Sequence, residues 1–354
     1  MFKYCSIFLI FVIFFACEKR TEDPQVSEYP FTPPSDHPLD AFEQNTRIAR
    51  TVNLGNYLEA PKDESWGITI IPEDLQRISE AGFSGVRVPI RWSDWAMDSE
   101  PFTIDETFFT QKVDPIVNAA LLNKLAVIIN IHHYEELYEN PAAQKKRFLI
   151  IWNQIARHYQ KYPDECFFEV LNEPHGNLVS AVWNEILPEV IDTIRVSNPY
   201  RTLIIGGANW NGLNDLRNLE LPEDDRGIIG TFHYYSPFQF THQGASWVGD
   251  DANDWLGTTW RGTIDQKEAV THDMETAAQW SKRTNRPVFM GEFGSYSTAD
   301  MTSRKVWTGY VSRSAEEHGL SWGYWEYCAG FGIFDKETNQ WRDWLLDALI
   351  PPED

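Results

Sequence analysis

Eight short runs of apolar and β-branched residues, each followed by a longer stretch of different periodicity, limit this chain to a small set of folds. The runs are TVNLGN (51–56), SGVRVPI (84–90), LAVIINIH (125–132), CFFEVLNE (166–173), TLIIGGA (202–208), GIIGTFHYY (227–235), PVFMGEFG (287–294) and SWGYWEY (321–327). Several are almost wholly apolar, as parallel strands covered on both faces require. Between them, IPEDLQRISEAG, FLIIWNQIARHYQKY and AVWNEILPEVIDTIRVS space their apolar residues three and four apart, which predicts helices. The alternation predicts an α/β fold, and eight strands are the number that closes a barrel. A doubly wound open sheet competes until the strand ends are compared. Seven of the eight carry polar or aromatic clusters at their C-terminal ends: Asn53 and Asn56, Arg87, His132-His133-Tyr134, Asn172-Glu173, His233 with Tyr235, Glu292, and Trp325. A barrel gathers all such ends around one mouth, whereas an open sheet spreads them along a crevice. The prediction is a (β/α)8 TIM barrel forming one domain over residues 42–354, with the Trp-, Gly-, Asp- and Thr-rich segment 236–264 as a loop over the mouth.

The first residues, MFKYCSIFLIFVIFFACEKR, place Lys3 ahead of an apolar run from Ile7 to Phe15 and then Ala16-Cys17. The run is shorter than the roughly 20 residues that span a bilayer, so residues 1–17 are expected to be a signal peptide. The Phe-Phe-Ala-Cys ending resembles a bacterial lipobox, with Phe14 where Leu is usual. Cys17 is then the expected lipidation site of an exported outer-membrane lipoprotein, facing the periplasm or the cell surface. Residues 18–41 are rich in Pro, Asp, Glu, Ser and Thr without periodicity, as in a flexible tether. Cys166 opens one predicted strand and Cys328 closes another about half a ring away, so two free thiols are expected.

A formal charge of −22, from 52 acidic and 30 basic side chains, excludes a nucleic-acid surface, which needs clustered Lys and Arg. It also favours a neutral polymer over an anionic one.

LNEPHG (171–176) and MGEFG (290–294) each end an apolar run on a glutamate followed by a Pro or Gly breaker. Glycoside hydrolysis needs two such carboxyl groups flanking one anomeric carbon, one donating a proton and one staying ionised. Glu173 and Glu292 are the candidates. Whether they stand close enough for direct attack, or far enough apart to admit water, is left open by sequence. Asn172 can hydrogen-bond a sugar 2-hydroxyl, while Arg87 and Tyr235 can keep Glu292 ionised. His132 and His133 could alternatively ligate a metal, but adjacent residues on a strand point to opposite faces unless the strand has already ended. An indole such as Trp325 covers the apolar C–H face of a pyranose, and Trp66, Trp210 and Trp247 are further candidates.

These segments, with NLGNYLEAP, GVRVPIRW, IINIHHYEEL, EVLNEPHGN, HYYSPFQFTHQGASW, GEFGSY and YWEYCAGFG, resemble glycoside hydrolase family 5, the large cellulase family, over residues 47–348. Within it the chain is similar to bacterial endo-β-1,4-glucanases that also accept mannans. The resemblance implies a retaining hydrolase with Glu173 as acid/base and Glu292 as nucleophile, and no metal or organic cofactor. It also implies a shell of Arg87, His132, His133, Asn172, His233, Tyr235 and Trp325. Asn53 is expected beside the same sugar, and His242 and Trp247 are expected to contact the glycan from the long loop. The implied partner is a β-linked polysaccharide or oligosaccharide, bound by a monomer whose only membrane contact is its lipid anchor. A dedicated endo-β-1,4-mannanase, a xyloglucanase or mixed-linkage glucanase, and a glycan-binding lipoprotein without catalysis remain as alternatives.

Overall fold

The computed structural model describes residues 30–352. The predicted signal peptide, Cys5, Cys17 and the tether up to residue 29 lie outside the described residues. All eight expected strands are present: β1 Arg50–Asn53, β2 Gly85–Val88, β3 Ala126–Asn130, β4 Cys166–Glu169, β5 Leu203–Gly206, β6 Ile228–Tyr234, β7 Val288–Phe293 and β8 Ser321–Tyr324. They pair in parallel in sequence order, and β8 closes onto β1 through Val52 opposite Tyr324. Seven of the eight are buried at every residue, which is why they read as unbroken apolar runs.

The main helices are α1 Ala41–Arg47, α2 Pro72–Glu80, α3 Asp114–Leu122, α4 Pro141–His158, α5 Ser180–Arg195, α6 Ile264–Thr284, α7 Met301–Glu317 and α8 Asp343–Leu349, of which α2, α4 and α5 form from the three segments whose periodicity predicts them. Their ends are set by local chemistry. Thr263 and Gln266 form a capping box at the start of α6, which stops where Asn285 turns left-handed at φ 51°. Between them, α6 buries Val270, Met274, Ala277 and Trp280 against the barrel, each large side chain contributing about 2 kcal/mol. One crossover departs from the pattern, since β5 and β6 are joined by a 3₁₀ helix, Leu213–Asn218, in place of a full α-helix.

The lower barrel interior is apolar, with Ala126, Ile128, Phe167, Ile204, Ile229 and Phe289 packed together. Helix α1 plugs this end with Ala41 and the adjacent Ile48. Its N-cap is Asp40, whose carboxylate accepts from the Phe42 amide at 2.8 Å. The packed unit begins at Thr32, about ten residues before the expected boundary, and the Ser35 amide donates to the Asp164 carboxylate at 3.0 Å. The end of the expected tether is therefore structured. Cys166 is buried and Cys328 half-buried, both as free thiols, as the spacing predicts.

The strands stop earlier than their sequence pattern. β3 ends at Asn130 rather than residue 132, β4 at Glu169 rather than 173, and β8 at Tyr324 rather than 327. Residues beyond these points leave the ladder to line the mouth, which apolar patterning cannot distinguish from strand.

Candidate active site

The last residue or two of the strands form a polar layer above the apolar one. Asn53 stands in register with Arg87, Asn130 with Glu169, and His233 with Glu292. The β6–β7 ladder slips at this level: Phe232 pairs with Met290 but His233 pairs with Glu292, leaving Gly291 over. Such a bulge re-aims the side chain that follows it. A Cβ at position 291 would lie 2.9 Å from Thr231 Oγ1 and 3.2 Å from His233 Nε2, so only glycine lets His233 sit under Glu292.

Arg87 is the hub of the layer, fully buried with all five N–H donors engaged. Nε and Nη2 donate to Glu169 at 2.5 and 2.8 Å, Nη2 also to Asn172 Oδ1 at 2.7 Å, and Nη1 to Asn53 Oδ1 at 2.8 Å and Glu292 Oε1 at 2.7 Å. Burial alone would lower the guanidinium pKa, but Glu169 and Glu292 outweigh it and hold the group charged. Glu292 receives a second hydrogen bond from the Tyr235 hydroxyl at 2.9 Å. Burial pushes its pKa up, while His233, Arg87 and Tyr235 together bring it below the usual carboxylate value. The group is thus kept ionised in a nearly dry site.

Glu173 follows β4 with φ at 45°, an uncommon conformation for a side-chain-bearing residue, and is more open than Glu292, its side chain 26% exposed against 6%. His233 Nδ1 lies 2.7 Å from Glu173 Oε1 and 3.6 Å from Glu292 Oε2, bridging the two carboxyl groups. Burial draws its pKa down, but the Glu292 charge and the Glu173 hydrogen bond leave it above the ordinary value. The nearest ligand atoms of Glu173, His233 and Glu292 lie within 4.8 Å of one another. These atoms are spaced to hold a cation, yet Arg87 already stands 2.7 Å from Glu292, and an ion would have to displace or oppose it.

Above this layer lies a cleft of about 690 Å³. Trp325 forms one wall, its indole parallel to the His132 ring at 5.6 Å. The Asn130 amide nitrogen is 3.1 Å from His132 Nδ1, which makes Nδ1 the acceptor and assigns the ring proton to Nε2. Burial keeps His132 neutral and pushes His133 down to about 4. Because β3 has already ended, both histidines line the cleft. His242, stacked on Phe238 at 4.1 Å, and the exposed Trp247 reach it from the long loop. Tyr235, Glu173, Glu292 and Trp66 also line the cleft.

Asn53 is placed differently from its expectation beside the sugar. Its amide donates to the carbonyls of Gly291 and Tyr324 at 3.1 and 3.2 Å and its oxygen accepts from Arg87, so it serves the hub from below. Asn56 and Glu59, further along the same loop, line the cleft instead. Asn172 presents its oxygen to Arg87, which turns its amide nitrogen the other way, and the Tyr138 hydroxyl fixes its backbone carbonyl at 2.7 Å. Trp210 lies outside the cleft lining but stacks on His175 at 4.9 Å, two residues after Glu173.

Sequence reasoning missed Glu169, although a lone charge inside CFFEVLNE was a signal that the strand faces a polar centre. It also missed Glu59, in the loop after β1, and Tyr296 and Phe331, none of which carried a signal. Glu169 fixes two of the five Arg87 hydrogen bonds, so Glu169→Gln should let the guanidinium shift against Glu292. A misplacement of about 1 Å costs roughly 10²-fold in rate, and kcat/KM on a soluble oligosaccharide should fall by about that factor. A rate within twofold of wild type would show that Arg87 needs no such support.

Comparison with known proteins adds three findings. A family model described as Cellulase (glycosyl hydrolase family 5) matches residues 41–330. The chain is 36% identical over 330 residues to Endoglucanase H of Acetivibrio thermocellus, covering 91% of this chain and 35% of that protein. It therefore spans about a third of the length of the first curated relatives it matches. Among solved structures, endoglucanase Cel5A from Thermotoga maritima superposes with a TM-score of 0.86 at 47% identity, covering 88% of this chain and all of that one. The Thermotoga maritima enzyme with mannotriose gives 0.85 at 46% identity over 88% of this chain and all of that one.

Proposed function

The chain belongs to the cellulase family, glycosyl hydrolase family 5, and on that premise we propose that it is a retaining endo-β-1,4-glucanase that also acts on mannan or glucomannan. The observation that carries the reading is the carboxyl pair: Glu173 and Glu292 present oxygens within 4.8 Å of one another beneath an aromatic cleft. Retaining glycosidases hold their carboxyl groups roughly 5–5.5 Å apart, while inverting ones leave about 6.5–9.5 Å for a water.

The chemistry runs in two displacements. Ionised Glu292 attacks the anomeric carbon as the glycosidic bond breaks, and Glu173 delivers its proton to the departing oxygen. Water then attacks the glycosyl ester, with Glu173 taking the proton back and Glu292 leaving as carboxylate. The groups that hold Glu292 ionised act from one side each: Arg87 from β2 on Oε1, and Tyr235 from β6 on Oε2. Asn172 is positioned by Arg87 and Tyr138 to offer its amide to the 2-hydroxyl. Trp325 covers one face of the ring while neutral His132 and His133 donate to hydroxyls.

The name of the Acetivibrio relative supports the glucan assignment, and the solved Thermotoga complexes with cellobiose and with mannotriose support a cleft tolerant of both sugars. Glucose and mannose differ only at C2, so the same shell can serve each. The test is release of reducing ends by the barrel domain on carboxymethylcellulose, glucomannan, galactomannan and mixed-linkage glucan, with and without a chelator. Activity on the glucans and glucomannan, unchanged by chelation, is expected. Activity on mannans alone would keep the mechanism and replace the substrate, and a chelator-sensitive rate restored by a metal would remove the two-carboxylate mechanism.

A further inference from the structure

Glu326 follows Trp325 of the cleft wall, and its side chain is fully buried. Three main-chain N–H groups converge on its carboxylate. Cys328 donates to Oε2 at 2.7 Å, Ala329 to both oxygens at 2.8 and 2.7 Å, and Phe331 to Oε1 at 3.1 Å. Segment 327–331 is thus wound around the side chain that precedes it, and Ala329, Gly330 and Phe331 from this turn line the cleft.

We propose that Glu326 is a positioning residue for the two-carboxylate hydrolysis proposed above, on which this role rests: its carboxylate sets Phe331 against Tyr235, and thereby the hydrogen bond that Tyr235 gives to Glu292.

The packing runs without a gap from one residue to the next. Phe331 meets the Tyr235 ring edge-on at 6.3 Å and 62°, within the range of attractive aromatic pairs, and touches His242 at 5.7 Å and Tyr296 at 5.4 Å. The Tyr235 hydroxyl then reaches Glu292 at 2.9 Å. The Phe331 backbone is held from both sides, its amide by Glu326 and its carbonyl by the Tyr324 hydroxyl at 2.9 Å and Arg304 Nη2 at 3.1 Å. The turn has little room to settle elsewhere. A Cβ at position 330 would come within 2.4 Å of the Tyr296 ring, and one at 332 within 2.9 Å of the Ala329 carbonyl oxygen.

The charge on Glu326 is what suits it to three donors. An ionised carboxylate accepts on both oxygens, whereas a glutamine or a protonated carboxyl turns one N–H or O–H donor toward them. Arg342, just ahead of α8, attracts this charge, Glu59 from the loop after β1 is repelled by it, and the Cys328 thiol and Tyr324 phenol also feel it. Burial pushes the Glu326 carboxyl up to about 7 against the pull of the three amides and Arg342. The full set of acceptors is therefore present above that value and is lost as pH falls through it.

The ratio of wild-type to Glu326→Gln kcat/KM on a soluble cello-oligosaccharide, followed on both sides of that pH, tests the role. On the alkaline side the ratio should be roughly tenfold, the size of one hydrogen bond to a charged group. On the acid side it should shrink toward one, because the protonated wild type then resembles the glutamine variant. Glu173 and His233 titrate in both proteins and divide out, and a general loss of structure would lower the rate by one factor at every pH. Phe331→Leu supplies the second arm, since it shortens the ring and leaves the amide in place. Its ratio to wild type should follow the same pH course, and in its background Glu326→Gln should cost less than roughly twofold more. Ratios independent of pH, or losses that simply multiply, would overturn the role of Glu326 and leave the hydrolase reading intact. The Phe331→Leu ratio decides alone if Glu326→Gln does not fold. No hydrolysis by the wild type would overturn both readings.

Discussion

Glu292→Gln should lower turnover on the order of 10⁵-fold, a loss of the size seen when a covalent nucleophile is removed, while leaving fold and oligosaccharide binding in place. The expectation of an intact fold comes from the hydrogen-bond pattern. A glutamine at this position can still accept from Arg87 and can donate to the Tyr235 oxygen, so no buried group is orphaned. The buried charges also stay balanced, because Arg87 keeps its paired contact to Glu169. What disappears is the anion that attacks carbon. The check is a rate measurement beside calorimetric binding of a cello-oligosaccharide. Tight binding with no turnover is expected, and near-normal turnover would remove Glu292 as nucleophile. Glu292→Gly with azide adds a stereochemical readout: the small anion should attack from the vacated side and yield a glycosyl azide of inverted configuration.

The second large effect concerns Glu173. Glu173→Ala should cost roughly 10³-fold on polysaccharide, within the 10²–10⁴ that positioned proton transfer contributes. The loss should depend on the leaving group. A sugar alkoxide needs the proton as it departs, whereas a nitrophenolate does not, so the first displacement on an activated aryl glycoside should proceed at a near-normal rate. Deglycosylation then becomes slow, because water has lost its base. Azide, which needs none, should restore turnover and give a product of retained configuration. An equal loss on both kinds of substrate would argue that Glu173 acts through structure alone. The opposite configurations expected from the two azide experiments separate the roles of two carboxyl groups whose nearest oxygens lie within 4.8 Å.

His233 joins these residues physically. It contacts Glu173 at 2.7 Å and lies 3.6 Å from Glu292, so its charge answers to both. In the proposed mechanism, esterification of Glu292 would remove the negative charge that raises the His233 pKa. The bulge that places His233 depends on Gly291, the residue immediately before Glu292. One short segment, MGEFG, thus supplies the carboxylate and the space beneath it. Gly294 makes a similar allowance at the other end, since a Cβ there would meet the Trp325 carbonyl oxygen at 2.1 Å.

The amino-acid sequence by itself determined the eight strands, the helices α2, α4 and α5 and the residues at the mouth. Each of those signals is local. A parallel strand buried on both faces must be apolar for four to seven residues, and a glutamate closing such a run, as Glu173 and Glu292 nearly do, has to face something polar. Closure of the barrel then brings all such ends together, whatever their separation along the chain. Tertiary structure alone decided how those residues divide their work. Arg87 meets Glu169 across 82 positions and Glu292 across 205, so no periodicity reports that one guanidinium is shared by two carboxylates. The same holds for Asn53, which the family resemblance put beside the sugar and barrel closure put beneath Arg87. Patterning reports which face of an element is buried. The distance between two carboxyl oxygens, and the partner that satisfies a buried charge, depend on the register and twist of every strand around the ring.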